Sequence, residues 1–129
     1  MLKLNHDEVT RIGESLAVNA SEGFSFCEEA LRNFDLQLIC ITRGANGSLL
    51  CDPENAHEHP GFQIQVKDTV GAGDAFTAAL VHGHLRGRSL AEMNDSANRL
   101  GAWVASCAGA MPSLPESGLE RALARLQMK

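Results

Sequence analysis

The sequence predicts a soluble α/β fold, and three segments support that prediction. Residues 36–41 form a short, nearly continuous apolar run, which is typical of a strand buried on both faces. Residues 62–66 alternate between apolar and polar side chains, which predicts a half-buried strand. Residues 73–85 repeat apolar side chains at helical spacing. We therefore expect buried strands covered by amphipathic helices.

The first third of the chain is predicted to be mainly helical. Residues 2–4 resemble the end of a strand, and Asn5 can cap a helix over residues 6–19. A second helix is expected over residues 25–34, because this segment opens with a Ser-x-x-Glu capping box.

The middle of the chain is predicted to contain the strands. A glycine turn over residues 42–47 follows the buried strand and leads into a return strand at 48–51. Residues 52–61 are polar and contain two prolines, so we expect a surface connection before the strand at 62–66.

Three helices are predicted after that strand. The first covers residues 73–85, and the second begins at the capping box of Ser89 and Glu92 and ends near Cys107. The Gly-Ala-Met-Pro segment that ends at Pro112 should interrupt the helical pattern, and a last amphipathic helix is expected over residues 115–126.

Composition excludes several classes of partner. Sixteen acidic against eleven basic residues give a net charge of −5, and the basic residues are scattered, so we expect no nucleic-acid partner. No apolar run is long enough to span a membrane, and the first residues lack a signal-peptide pattern. We expect a cytoplasmic protein with no membrane partner.

The four cysteines, Cys27, Cys40, Cys51 and Cys107, are far apart in the sequence and form no CxxC motif. This spacing gives little support to a zinc site or a redox pair, and we expect buried, reduced thiols. No chemistry is assigned to them from the sequence.

The most informative segment for function is Asp-Thr-Val-Gly-Ala-Gly-Asp, residues 68–74, between a predicted strand and a predicted helix. Gly71 and Gly73 allow a ligand to approach the backbone, and the first amides of the helix form an anion site. Asp74 adds a carboxylate that could accept the proton of a hydroxyl attacking a phosphoryl group. The alternative is that Asp74 only stabilises the helix dipole, and spacing alone leaves both interpretations open.

Two common phosphate-binding motifs are excluded. The chain has no GxxxxGK[ST], which rules out a P-loop. In the segment from Gly71 to Phe76, a phenylalanine occupies the position where a dinucleotide fingerprint needs its third small residue.

The segment DTVGAGDAF, residues 68–76, resembles the second signature of the PfkB/ribokinase family of carbohydrate kinases. Four further segments resemble the family and occur in the same order: residues 3–8, 42–47, 97–98 and 109–112. The resemblance implies the C-terminal half of a ribokinase-like, three-layer α/β/α fold, with residues 1–129 as its nucleotide-binding and catalytic portion. The N-terminal half, which supplies the lid and most sugar contacts in the family, is expected to be absent from this sequence.

The resemblance also implies roles for residues around the signature. Asp74 would be the catalytic base, in contact with the substrate hydroxyl. The anion hole would consist of four backbone amides, those of Gly71, Ala72, Gly73 and Asp74.

Further roles in nucleotide and metal binding are implied. The residues implied to hold ATP are Asn5, Thr42, Gly44, Gly47 and Asn98. Glu8 would position Mg²⁺, through water, in agreement with the reluctance of this ion to lose its hydration shell. The family's loop for a monovalent cation such as K⁺ corresponds here to Asp68, Val70, Val104, Cys107, Gly109 and Ser113. Asp68 could instead only cap a turn, and both interpretations remain open.

The implied function is transfer of the γ-phosphoryl group of ATP to an alcohol group of a small sugar, with fructokinase-like members as the nearest resemblance. The alternative is a nucleotide-binding remnant without independent catalysis. Because phosphoryl transfer depends on positioning, a chain with only the phosphate end of the site would need a complementing N-terminal half. Half of an α/β sheet would also leave unpaired strand edges, so we expect the chain to self-associate where that half is missing.

Overall fold

The fold of residues 1–20, 22–113, 115 and 118–129 is described by a computed structural model. This part of the chain divides into two units, Met1–His59 and Pro60–Lys129. Each unit is described by itself.

The first unit contains a four-stranded sheet in the order β1-β2-β3-β4. The strands are β1 (Leu2–Asn5), β2 (Ile39–Thr42), β3 (Ser48–Cys51) and β4 (Ala56–His59). Strands β1 and β2 are parallel, whereas the pairs β2–β3 and β3–β4 are antiparallel. The buried strand and the return strand predicted from the sequence are therefore confirmed, although β2 begins three residues later than expected.

Strand β4 corrects the prediction that residues 52–61 are a surface connection. Its residues, Ala-His-Glu-His, lack an apolar alternation, but they pair in register with all four residues of β3. An edge strand needs few apolar side chains, because its place is fixed by backbone pairing with its neighbour.

Two helices, α1 (His6–Leu16) and α2 (Gly23–Asn33), belong to the same unit. Their buried apolar residues join those of β1, β2 and β3 in one core cluster. The predicted cap of α1 by Asn5 is confirmed, but the helix ends at Leu16 and not near residue 19, because Ala17 adopts a left-handed conformation.

The capping box predicted for α2 is wrong. The helix begins at Gly23, two residues before Ser25, and its N-cap, Glu22, makes no side-chain capping hydrogen bond. A Cβ on Gly23 would lie 3.3 Å from Leu49 Cδ2, so the first turn packs directly on the sheet. Tertiary packing has overridden the local capping signal.

The second unit is built on two helices, α3 (Ala72–Leu85) and α4 (Leu90–Ala105). Their backbones approach closely at two glycines: a Cβ on Gly83 would lie 2.9 Å from Met93 Cγ, and one on Gly101 would lie 3.1 Å from the Ala72 carbonyl oxygen. The predicted capping box of Ser89 and Glu92 is confirmed.

The remaining elements of this unit are shorter than predicted. Strand β5 (Phe62–Gln63) pairs with β6 (Gln127–Met128) over two residues, so the strand predicted as far as residue 66 ends at Gln63. Helix α5 covers Leu119–Ala124, whereas residues 116 and 117 of the predicted helix lie outside the described residues. Across the described residues, no helix combines the length and apolarity needed to cross a membrane.

Candidate functional site

A tight turn leads into the N-terminus of α3. The backbone N–H of Val70 donates to Asp68 Oδ1 at 2.9 Å, and the N–H of Ala72 donates to the Thr69 carbonyl oxygen at 3.2 Å. Gly71 is the N-cap, with φ of +81°. These bonds fix the direction in which the first turn of α3 presents its amides.

Gly71 is required by the fold. Its φ lies in the left-handed region, which disfavours a side chain. A Cβ at this position would also lie 2.5 Å from the carbonyl oxygen of Ala110. The turn is therefore held against the segment that follows α4.

Gly73, in contrast, is not required by the fold of the described residues. It has helical geometry, and a Cβ built on it meets nothing within 4 Å. The absence of a side chain here leaves the surface above the first helical turn open, which is the space that a ligand on these amides would need.

One of the four amides predicted to form the anion hole already has a hydrogen-bond partner. The backbone N–H of Ala72 donates to the Thr69 carbonyl oxygen within the turn. The amides of Gly71, Gly73 and Asp74 have no acceptor among the described residues. At the start of a 14-residue helix such amides carry the positive end of the helix dipole, so three of the four predicted donors are available to an anion.

Asp74 is exposed in the first turn of the same helix. Its exposed carboxylate therefore lies in the same helical turn as the unengaged amides of Gly73 and Asp74. This arrangement combines a proton acceptor with donors for developing negative charge.

Five of the six residues predicted to hold a monovalent cation lie on two segments that the structure brings together. The amides of Lys67 and Asp68 both donate to the carbonyl oxygen of Ala105, at 2.9 and 3.3 Å. This carbonyl lies at the end of α4, and the close approach of Gly71 to Ala110 makes a second contact between the segments. The residues concerned are Asp68, Val70, Val104, Cys107 and Gly109; Ser113, the sixth, is exposed beyond them.

The side chain of Asp68 also has the turn-capping role that the sequence left open, since it accepts the Val70 N–H. A carboxylate has about four acceptor sites, and the Val70 N–H occupies one of them. This hydrogen bond therefore does not exclude coordination of a cation by Asp68.

Asn98 lies within α4 and is 8% exposed. Its Nδ2 donates to the carbonyl oxygen of Asn94 at 2.8 Å and to Asn94 Oδ1 at 2.9 Å. Both side-chain donors are thus used inside the helix. The prediction that Asn98 lies beside adenine remains a prediction.

In the first unit, the residues predicted to bind nucleotide and magnesium lie near the carboxyl ends of the parallel strands. Asn5 and Thr42 are paired neighbours at the carboxyl ends of the parallel strands β1 and β2, and Thr42 Oγ1 donates to the Leu4 carbonyl oxygen at 3.3 Å. In open α/β sheets this edge is where ligands bind. The glycine turn after Thr42 begins here, with Gly44 and Gly47 at φ of +57° and +78°.

Asn5 and Glu8 bond each other reciprocally. The N–H of Glu8 donates to Asn5 Oδ1, and the N–H of Asn5 donates to Glu8 Oε2, both at 2.8 Å. Among the described residues no group of three or more His, Cys, Asp or Glu side chains could hold a metal ion. The exposed Glu8 carboxylate keeps spare acceptor capacity, so it fits a Mg²⁺ ion held through water and not an all-protein cage.

Two features of the site were not found by sequence reasoning. The backbone of Ala110 packs against Gly71, whereas the sequence indicated residues 109–112 only as a helix break and a family-like segment. Arg43, inside the glycine turn segment, forms a 2.8 Å ion pair with Glu58 of the unexpected strand β4. No sequence signal identified that pair, because β4 itself was missed.

Comparisons with known proteins place these features in context. A protein-family model described as pfkB family carbohydrate kinase matches residues 1–117. The fructokinase of Escherichia coli is 31% identical over 90 residues, which are 65% of this chain and 29% of that protein. The aminoimidazole riboside kinase of Salmonella typhimurium is 37% identical over 90 residues, which are 66% of this chain and 28% of that protein.

The fold is also shared with solved structures. Phosphofructokinase-2 from Escherichia coli in complex with potassium superposes with a TM-score of 0.77 at 20% sequence identity, covering 95% of this chain and 40% of that chain. The predicted ribokinase-like α/β class is thereby confirmed. The chain spans less than a third of the length of the two curated relatives.

Proposed function

Because the chain belongs to the pfkB family of carbohydrate kinases, we propose that it carries the ATP-binding and phosphoryl-transfer portion of a sugar kinase. The observation that carries this proposal is the N-terminus of α3, where unengaged amides and an exposed carboxylate lie within one helical turn. Phosphoryl transfer needs this combination of anion stabilisation and a proton acceptor.

Asp74 acts as the general base in this proposal. Its carboxylate accepts the proton of the sugar hydroxyl while the hydroxyl oxygen bonds to the γ-phosphorus of ATP. The bond between that phosphorus and the β,γ-bridging oxygen breaks, and ADP leaves. General-base assistance of this kind contributes about 10²–10⁴-fold in rate.

The anion hole stabilises the charge that develops on the transferred phosphoryl group. The amides of Gly71, Gly73 and Asp74 supply it directly, whereas the Ala72 amide must weaken its 3.2 Å bond to Thr69 before it can take part. Gly73 is the residue whose lack of a side chain serves the ligand, and Gly71 is the one that serves the fold.

ATP is held by two groups of residues. Thr42, Gly44 and Gly47 at the edge of the first unit's sheet bind the nucleotide, and Asn98 lies near the adenine. Asn5 and Glu8 position Mg²⁺ through water, in keeping with the reciprocal capping box that leaves the Glu8 carboxylate exposed. A bound Mg²⁺ would supply positive charge that stabilises the negative charge of the phosphates during transfer.

A monovalent cation, K⁺, is proposed between the segment at residues 68–70 and the segment at 104–113. The hydrogen bonds from the Lys67 and Asp68 amides to the Ala105 carbonyl oxygen support this proposal. They hold the two segments, whose backbone carbonyl oxygens would bind the cation, next to each other. A cation there would fix the turn that leads to the anion hole.

The acceptor is proposed to be a small sugar with a free hydroxyl, of the fructokinase or riboside kinase type, by likeness to the two relatives. Residues 1–129 are proposed to act as a C-terminal portion, with sugar contacts supplied by polypeptide outside these residues, joined to them or separate. Since the chain spans under a third of these relatives, a second candidate is nucleotide binding without independent turnover.

Calorimetric titration with Mg·ATP, followed by an ADP-release assay with fructose and ribosides, tests both candidates. The assay is run on the 129-residue chain alone and after co-expression with the N-terminal portion of the Escherichia coli fructokinase. Sugar-dependent ADP release supports the kinase, and ATP binding without release under either condition supports the second candidate. Absence of ATP binding by the folded chain would contradict both.

A further inference from the structure

Gly101 is buried in the interior of α4, where glycine is among the least favourable residues for helix stability. It shares one face of this helix with Ala97 and Val104, which precede and follow it by four and three residues and are buried as well. Helix propensity therefore does not account for a glycine at this position.

The absence of a side chain on Gly101 allows α4 to approach the first turn of α3. A Cβ built on Gly101 would lie 3.1 Å from the Ala72 carbonyl oxygen and 3.4 Å from Phe76 Cβ. The first of these distances is shorter than an ordinary van der Waals contact. An alanine at residue 101 would therefore require its Cβ and the Ala72 oxygen to separate by a few tenths of an ångström.

The Ala72 carbonyl oxygen is rigidly connected to one of the amides of the proposed anion hole. The C=O of Ala72 and the N–H of Gly73 belong to the same planar peptide group, in which they point in opposite directions. A displacement of the oxygen therefore tilts this plane and changes the direction of the Gly73 N–H. This N–H has no acceptor among the described residues, so backbone packing and not a hydrogen bond sets its direction there.

We propose, resting on the proposed function, that Gly101 is a positioning residue for phosphoryl transfer. By keeping α4 against the Ala72 carbonyl group, Gly101 orients the Gly73 N–H towards the transferred phosphoryl group. Gly101 itself does not touch the ligand. Because a hydrogen bond weakens steeply as its angle departs from linearity, a small tilt of the peptide plane reduces the stabilisation that this donor provides.

The turn before α3 is then held by two contacts from the same part of the chain. The backbone of Ala110, after α4, meets Gly71, and Gly101 of α4 meets the next residue, Ala72. Asn98, proposed to lie near the adenine, precedes Gly101 by three residues and is therefore its neighbour on the helix surface. Helix α4 would thus both contact the base and orient a donor to the phosphoryl group.

The test compares Gly101→Ala with Gly83→Ala, a matched control at the same pair of helices. A Cβ on Gly83 would lie 2.9 Å from Met93 Cγ, so this variant also disturbs the packing of α3 on α4. Gly83 lies about three turns beyond Ala72 along α3, far from the anion hole. Both variants gain helix propensity, so we expect both to fold.

The residual dipolar coupling of the Gly73 N–H in weakly aligned protein reports the direction of this bond without any ligand. With the alignment fitted to the other amides of α3 and α4, we expect a changed coupling in Gly101→Ala and the wild-type coupling in Gly83→Ala. An unchanged coupling in folded Gly101→Ala, or equal changes in both variants, would overturn the proposal. Failure of Gly101→Ala alone to fold would also overturn it, because Gly101 would then serve the fold and not the donor.

Nucleotide binding supplies a second readout that a purely structural role would not produce. In Gly101→Ala the Kd for Mg·ATP should rise by up to about tenfold, because one charge-assisted hydrogen bond is weakened. The Kd for Mg·ADP should match the wild type, since ADP lacks the transferred phosphoryl group. Calorimetry measures both constants, and an equal loss for both nucleotides would overturn the proposal. Folded wild-type protein that binds neither nucleotide would contradict the proposed function, whereas the dipolar coupling would still decide whether Gly101 orients the Gly73 amide.

Discussion

Gly71 lies so close to Ala110 that a Cβ built on it would be 2.5 Å from the Ala110 carbonyl oxygen. This contact holds the turn before α3, which carries the amides proposed to form the anion hole, against the segment after α4. The neighbouring Gly73 has no such contact within 4 Å among the described residues. Two glycines in one motif thus have different reasons to be glycine, and their variants should behave differently.

Gly71→Ala should destabilise the protein. A side chain at φ of +81° costs about 1–2 kcal/mol from backbone strain alone, and the Ala110 backbone must also move. Urea denaturation, compared with Gly87→Ala as a control at a positive-φ glycine with open space around it, separates the strain from the clash. Equal stability of the two variants would show that the contact with Ala110 contributes nothing.

Gly73→Val should leave the fold intact and weaken ATP binding, since its side chain would enter the open space above the Gly73 and Asp74 amides. We expect the variant to lose one or two charge-assisted hydrogen bonds between these amides and ATP, each contributing about 1.5–3 kcal/mol. The Kd for ATP should therefore rise by about tenfold or more. Calorimetry on the folded variant measures it. Unchanged affinity would count against an anion hole at this helix end.

The Ser89–Glu92 capping box predicts an acid-sensitive contribution to stability. Hydrogen bonds from the Ser89 backbone and side chain, and from Arg88, lower the pKa of Glu92 from its ordinary value of 4.5. A carboxyl group whose pKa is lower in the folded than in the unfolded protein stabilises the fold at a pH above its unfolded-state pKa. This contribution is lost as the pH falls through the folded-state pKa. Glu92→Gln should therefore be less stable than the wild type at neutral pH, with a difference that shrinks below pH 4.5. Thermal denaturation across this range checks it; a difference independent of pH would contradict the cause.

The isolated chain is expected to self-associate. Among the described strands β1 is the first of the sheet and pairs on one side only, with β2. An edge of this kind is a template for pairing with another chain. Size-exclusion chromatography with light scattering should show dimers or larger species, and a monomer that persists at high concentration would refute the expectation.

The sequence predicted most of the fold through local chemistry. The Asn5 cap, the Ser89–Glu92 capping box, the apolar β2 and the helix after the glycine turn were all predicted from spacing. Strand β4 could not be found, because its Ala-His-Glu-His sequence is a strand only through pairing with β3. Within the described residues, β2 lies between β1 and β3, so the terminal strands of the sheet are β1 and β4.

The sequence predicted which residues lie at the site, but not which of their backbone amides are already hydrogen-bonded. The motif identified Gly71, Gly73 and Asp74, but only the structure shows that the Ala72 amide is already used by Thr69. The placement of Cys27 and Cys51 in one core cluster was equally hidden, since 23 residues separate them in the sequence. Interactions distant in sequence are set by tertiary packing, which spacing does not encode.

The most direct test of the central claim is the turnover of Asp74→Asn in a preparation that phosphorylates a sugar. The carboxamide keeps the shape and removes the base, so kcat should fall about 10²–10⁴-fold while ATP affinity stays within a few-fold. Glu120→Gln, at another first-turn acid of the same unit, is the matched control and should retain wild-type kcat. The claim predicts that loss for Asp74→Asn alone; a variant that keeps more than about a tenth of wild-type kcat would show that Asp74 is not the base.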